Sequence, residues 1–193
     1  MADNQKLIAN LDAAVRDVLA YFDGAGRTTT AMVDKWQARD VLQHFIYFHD
    51  ATAWGIQSAA FGGPPWPLPG DADIINQVCR RLHGHEDIEG LLTQLKQAHA
   101  RLTRAARRSP DLDQPCFKRA NGDTVTGRQR LEILAKHWNE HGDELKRRRR
   151  RSPQPGSSRS SANQLWALLN AGRASAISAI VTPATSATTI VRP

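Results

Sequence analysis

Three histidines, His44, His137 and His141, have the residue type and the spacing to do chemistry. His137 and His141 form an H-x-x-x-H pair inside KHWNEHGDEL. On an α-helix, positions i and i+4 share a face, so both rings address one spot. His44 lies 93 residues before His137, inside RDVLQHFIYF, which also has a helical pattern. Each of the three falls on the apolar stripe of its own helix. Three neutral imidazoles converging in a helical core make a facial site for a divalent metal, with one or more coordination positions left open. An open site points to chemistry at the metal rather than to a sealed structural role. Burying three imidazoles in one small core without a partner is costly, so their joint occurrence argues for a ligand more strongly than any one of them does.

The other four histidines, His49, His83, His85 and His99, lack this convergence. His83 and His85 bracket a glycine and read as solvated. His49 sits five positions after His44, off to one side, as a flank of the site. HWNEH also fits the inverted zinc-peptidase pattern H-x-x-E-H, with Glu140 as general base. That reading fails because those enzymes take a third ligand from a distant downstream Glu, and here only Glu144 follows His141. The forward H-E-x-x-H pattern is absent, since Trp138 occupies the Glu position. Glu140 therefore reads as a helix-surface residue or as a partner that supports a ligand. There is no glycine-rich phosphate loop and no nucleophile elbow. The paired acids Asp71/Asp73 and Asp111/Asp113 fall at loops and helix starts, where capping accounts for them.

Positioning these rings requires helices. Leu7, Ile8, Leu11, Ala14, Val15, Val18 and Phe22 give the i, i+3, i+4, i+7 spacing of a first helix over 4–22, which Gly24 and Gly26 end. Asp34 or Trp36 opens a second, lined by Val41, His44, Phe45, Phe48, Thr52 and Ile56. It stops at GGPPWPLPG (62–70), where glycine and proline forbid further helix and Trp66 stands as a candidate wall of a site. A third stretch from Asp71 or Asp73 carries Ile74, Ile75, Val78, Cys79 and Leu82. It breaks at HGHED (83–87) and resumes through Leu91, Leu92, Leu95, Ala98 and Leu102, as one kinked helix or two. Residues 109–125 read as a loop in which CFKR and TVT pair around Asn121-Gly122. A Thr126/Gln129 capping box opens the last helix, whose inner face is Leu131, Leu134, His137, Trp138, His141 and Leu145. The expected fold is all-α: a four-helix bundle over 1–146, with long connections that permit crossovers.

Charge separates the rest. The net charge of +7 is misleading as a whole: 1–146 hold 18 Lys+Arg against 19 Asp+Glu, while 147–193 hold eight Arg and no acid. The basic residues Arg147–Arg151, followed by PQPGSSRSS, read as a disordered tail; 163–181 have the pattern of a short weak helix. The arginine run suits non-specific contact with nucleic acid or another polyanion, without the aromatic interleaving of specific readout. Two cysteines, Cys79 and Cys116, give no disulfide framework. No apolar run approaches a membrane span, and the N-terminus lacks a secretory h-region, so the expectation is a cytoplasmic protein without membrane contact.

WQARDVLQHF (36–45), the D-x-x-N within DADIIN (71–76) and HWNEHGDEL (137–145) together resemble the DinB-like superfamily. This is the damage-inducible DinB/YfiT group, which includes the N-terminal domain of mycothiol-dependent maleylpyruvate isomerase. The resemblance covers about 4–146 and is carried by the order and spacing of short motifs. It implies a four-helix bundle with a three-histidine metal site on His44, His137 and His141. It further implies zinc or nickel and, in several members, a low-molecular-weight thiol (mycothiol, bacillithiol or glutathione) beside the metal. The expected activity is a thiol-dependent transferase, isomerase or related detoxifying reaction on a small molecule, and a homodimer is compatible with a bundle of this size. The alternative is a non-catalytic bundle whose arginine tail contacts nucleic acid or a partner.

Overall fold

A computed structural model describes residues 2–24, 26–27, 32–33, 36–68 and 72–149. Asp34, Asp71, the run beyond Arg149 and the segment 163–181 lie outside the described residues. The protein is mostly helical: α1 (Ala2–Asp23), α2 (Ala38–Ala60), α3 (Ala72–His83), α4 (Ile88–Arg108) and α5 (Gly127–Arg149). Five short strands accompany them: β1 (Met32–Val33), β2 (Trp36–Gln37), β3 (Trp66–Pro67), β4 (Pro115–Lys118) and β5 (Thr124–Thr126). No described helix is long and apolar enough to cross a membrane.

The apolar stripes read from the sequence are the core. Leu7, Ile8, Leu11, Val15, Val18 and Phe22 of α1 are buried, as are Leu91, Leu95, Ala98 and Leu102 of α4 and Leu131, Leu134 and Leu145 of α5. Each fully buried side chain of this size contributes about 1.5–3 kcal/mol. Helix α1 packs on α4 and α5, α2 packs on α4 and α5, and α3 lies against α2. The Lys146 ammonium pairs with Asp17, fastening the end of α5 to α1.

Local chemistry sets the element ends. Helix α2 starts at Ala38 rather than at Trp36, because Trp36 and Gln37 pair antiparallel with β1. The Asp40 carboxylate accepts the Gln37 N–H at 3.0 Å, which caps the first turn. At the other end Gly62 takes φ +75°, and the Gly62 and Gly63 N–H groups donate to Ala59 and Ser58 carbonyls at 2.9 and 2.8 Å. That is a Schellman stop, whose left-handed residue favours glycine. The HGHED break separates two helices. Asp87 caps α4 by accepting the Gly90 N–H at 2.7 Å, and Arg39 of α2 donates to the Gly84 carbonyl at 3.1 Å and the Glu86 carbonyl at 2.5 Å. The linker is thereby tied to the helix that carries His44.

The expected β4–β5 pairing forms, turned by Gly122 at φ +92°. Trp66, in the connection after α2, joins this sheet through a parallel pairing of β3 with β4. The Thr126/Gln129 box closes in both directions, Thr126 N–H to Gln129 Oε1 at 3.0 Å and Gln129 N–H to Thr126 Oγ1 at 3.2 Å. Helix α5 then continues past residue 146 to Arg149, through the start of the arginine run.

Candidate metal centre

The three histidines singled out by spacing meet in space. Their ligand atoms lie within 4.8 Å of one another, and they are the residues among those described that could hold a metal ion. His44 comes from α2, His137 and His141 from successive turns of α5, and the two helices run past each other in contact. The His44 and His137 Nε2 atoms are 2.8 Å apart. The His141 ring centroid is 4.4 Å from that of His137 and 5.9 Å from that of His44. His44 and His137 are buried; His141 is partly exposed and marks the open side.

Aromatic rings wall the cluster. Phe48 lies 4.5 Å from His44 centroid to centroid, and Phe45 lies 5.5, 5.3 and 5.5 Å from His44, His137 and His141. Trp36, rather than Trp66, is the indole beside the site, 6.1 Å from His44. Burial in this apolar setting drives the imidazoles toward their neutral form. Desolvation lowers His44 to about 3, helped by His141 and opposed by the Asn76 hydrogen bond. It lowers His141 to about 4 and holds His137 well below its ordinary value. All three are therefore neutral near pH 7, the state in which an imidazole offers a lone pair to a metal.

The donor set fits a divalent cation. With Zn–N bonds of about 2.0–2.1 Å, ligand nitrogens sit about 3.3 Å apart in a tetrahedral shell and about 2.9 Å apart at right angles. The 2.8 Å between the His44 and His137 Nε2 atoms is close to the right-angle value, and no two ligand atoms of the group are more than 4.8 Å apart. The buried Nδ1 atoms of His137 and His141 have no hydrogen-bond partner among the described residues, so neither ring is held from behind as His44 is by Asn76. Glu140 stands outside the group; its Oε2 is buried without a partner, and burial raises its pKa.

Asn76 of α3 contributes what spacing alone did not reveal. His44 Nδ1–H donates to Asn76 Oδ1 at 2.9 Å, which fixes the tautomer and turns Nε2 toward His137. Asn76 is buried between Ile75 and Cys79 on the inner side of α3; the D-x-x-N of DADIIN had marked it in the sequence, but not as the partner of His44. Replacing Asn76 with Ala is expected to weaken zinc binding about 10–100-fold, as loss of such supporting partners does elsewhere, with the fold retained. Competition against a chromogenic chelator measures this, and unchanged affinity would remove Asn76 from the site.

A second polar link lies beyond Trp138. The indole Nε1–H donates to His49 Nε2 at 2.8 Å, the His49 ring is 5.2 Å from His99, and His99 Nε2 meets Asp12 at 2.9 Å. His49 thus braces the residue between the two α5 histidines instead of joining them. His85 is exposed and His83 partly so, as their place beside a glycine implied. No family model, curated protein or solved structure matches the chain.

Proposed function

We propose that the chain is a DinB-like four-helix bundle that holds one divalent metal ion, zinc or nickel, on His44, His137 and His141. We further propose that it uses this centre for thiol-dependent transfer or isomerisation of a small electrophile. The observation that carries the reading is the convergence of three neutral imidazoles from two helices, His44 and His137 buried and His141 partly exposed. A bound divalent ion would supply Lewis acidity, lowering the pKa of a thiol that reaches the open position. The chain's own residues do the rest. Asn76 holds the His44 proton on Nδ1 and keeps Nε2 free. Phe45 and Phe48 keep water from the ring faces, which strengthens charge interactions at the centre. Neither cysteine serves as the thiol: burial raises Cys79 to about 12 and Cys116 to about 11, so both stay protonated. The nucleophilic sulfur is consequently an external one.

The test is spectroscopic. Cobalt-substituted protein titrated with glutathione, or with mycothiol or bacillithiol, is expected to develop an intense near-ultraviolet thiolate-to-metal band. A cobalt-loaded protein whose spectrum ignores all three thiols would leave a metal site without the proposed chemistry.

A further inference from the structure

Arg130 is the one buried cation in the described structure for which neither the fold nor the metal centre supplies a need. It is 7% exposed, yet among the described residues no carboxylate pairs with it. Among the described residues its one hydrogen bond runs from Nε to Thr52 Oγ1 at 3.3 Å. The guanidinium instead lies against two rings, with Cζ 5.0 Å from the Phe48 centroid and 5.4 Å from that of Phe117. Stacking of this kind favours the cation and fixes its plane, but leaves the in-plane N–H edge unspent. Arg119 carries the β4 strand line one residue further, its N–H donating to the Asp123 carbonyl at 2.7 Å, and so shares a face with Phe117, the ring that Arg130 touches; its charge disfavours the Arg130 cation. Arg119 has a buried Nε without a hydrogen-bond partner. Tyr47 and Cys116, the other polar groups that act on Arg130, are neutral near pH 7, since burial raises the pKa of both. Two arginines on the Phe117 face, with no carboxylate paired to either among the described residues, form a site that an anion would complete.

Its position relates it to the histidines. On α5, Arg130 precedes His137 by seven residues, two turns along one face and about 10 Å of helix rise. On α2, His44, Phe48 and Thr52 recur every fourth residue, so the Phe48 ring touches His44 at one end of the stripe while Thr52 and Phe48 meet Arg130 at the other. From this we infer that Arg119 and Arg130 bind the carboxylate of the molecule whose other end reaches the three-histidine centre. The ligand class is a carboxylic acid carrying a metal-seeking group about two helical turns away. The phenyl walls suit a carboxylate borne on a hydrocarbon segment. The inference rests on the metal-centre reading for the far end of the ligand, but not for the arginine pair itself.

The experiment compares ω-mercaptohexanoate with ω-mercaptohexanol on the zinc-loaded full chain by calorimetry, in wild type, Arg119→Gln and Arg130→Lys. The acid is expected to bind about tenfold or more tightly than the alcohol, because a charge-assisted bidentate contact is at stake. Both variants should lose that preference while retaining the zinc content and the alcohol affinity of wild type. If wild type binds acid and alcohol alike, or if both variants keep the preference, the inference is overturned. Plain hexanoate on metal-stripped protein separates the two readings. Should the chain take up no zinc, hexanoate binding that falls about tenfold in both variants still supports the arginine pair, and binding equal in all three proteins overturns it.

Discussion

The 193-residue chain reconstituted with zinc or nickel is expected to hold one metal ion per chain, and His137→Ala to hold none after the same dialysis. His137 is the middle of the cluster, 2.8 Å from His44 Nε2 and with its ring 4.4 Å from that of His141. Removing it leaves two imidazoles on different helices with a gap between them, so no three-nitrogen face survives. His44→Ala and His141→Ala should behave alike. His85→Ala, a change at an exposed ring, should keep the metal. Stability gives an independent readout. A ligand that binds only the folded chain stabilises it by about 2.7 kcal/mol at a hundredfold excess over Kd. Chelation should therefore lower the melting temperature of wild type and leave His137→Ala unmoved. Metal retained in a folded His137→Ala protein would reduce the three histidines to core packing. The thiol chemistry would fall with them.

How far the sequence carries depends on which contacts are periodic. The three-histidine cluster was legible because an i, i+4 pair fixes two ring directions by helix geometry alone, and because His44 sits in register with Val41, Phe45 and Phe48 on one stripe. The helices were legible for the same reason, down to the Thr126/Gln129 box and the Asn121-Gly122 turn. What spacing could not supply were pairings between distant segments. Whether HGHED breaks a helix depends on Arg39 reaching the Gly84 and Glu86 carbonyls from α2. The partner of His44 depends on α3 lying against α2, which brings Asn76 within 2.9 Å. Trp36 and not Trp66 borders the site because β1 and β2 turn the chain just before α2, whereas Trp66 is drawn to the β4 edge. Arg130 was passed over although it stands on the His137 face, because an arginine in a helix is ordinarily a solvated charge, and only the packing of Phe48 and Phe117 around it shows otherwise.

The largest expected effect on folding lies at Trp138, between the two α5 ligands. It is fully buried and stacks on Phe45 with centroids 3.7 Å apart and planes 10° from parallel. Its indole N–H is the hydrogen bond that His49 Nε2 accepts at 2.8 Å. Trp138→Ala removes the ring, opens a cavity against Phe45 and orphans a buried acceptor, so a loss of about 3–5 kcal/mol is expected. Trp138→Phe keeps most of the apolar volume and loses only the donor, which sets its cost nearer about 1–3 kcal/mol. Pairing Trp138→Phe with His49→Leu separates the contributions. If the hydrogen bond matters, the double variant is less destabilised than the two single losses predict, because no unpaired acceptor remains. Urea unfolding of metal-stripped protein measures each value, and Trp138→Ala costing under about 1 kcal/mol would mean that the α2–α5 seam is not packed as described. The stakes extend to the centre itself. The Phe45–Trp138 stack holds α5 against α2 at the level where His44 faces His137, so a helix rotation that relieves a cavity at residue 138 also swings the flanking histidines away from His44. Trp138→Ala should accordingly weaken zinc binding although Trp138 offers no ligand atom, while Trp138→Phe, with the stack preserved, should bind zinc nearly as wild type does.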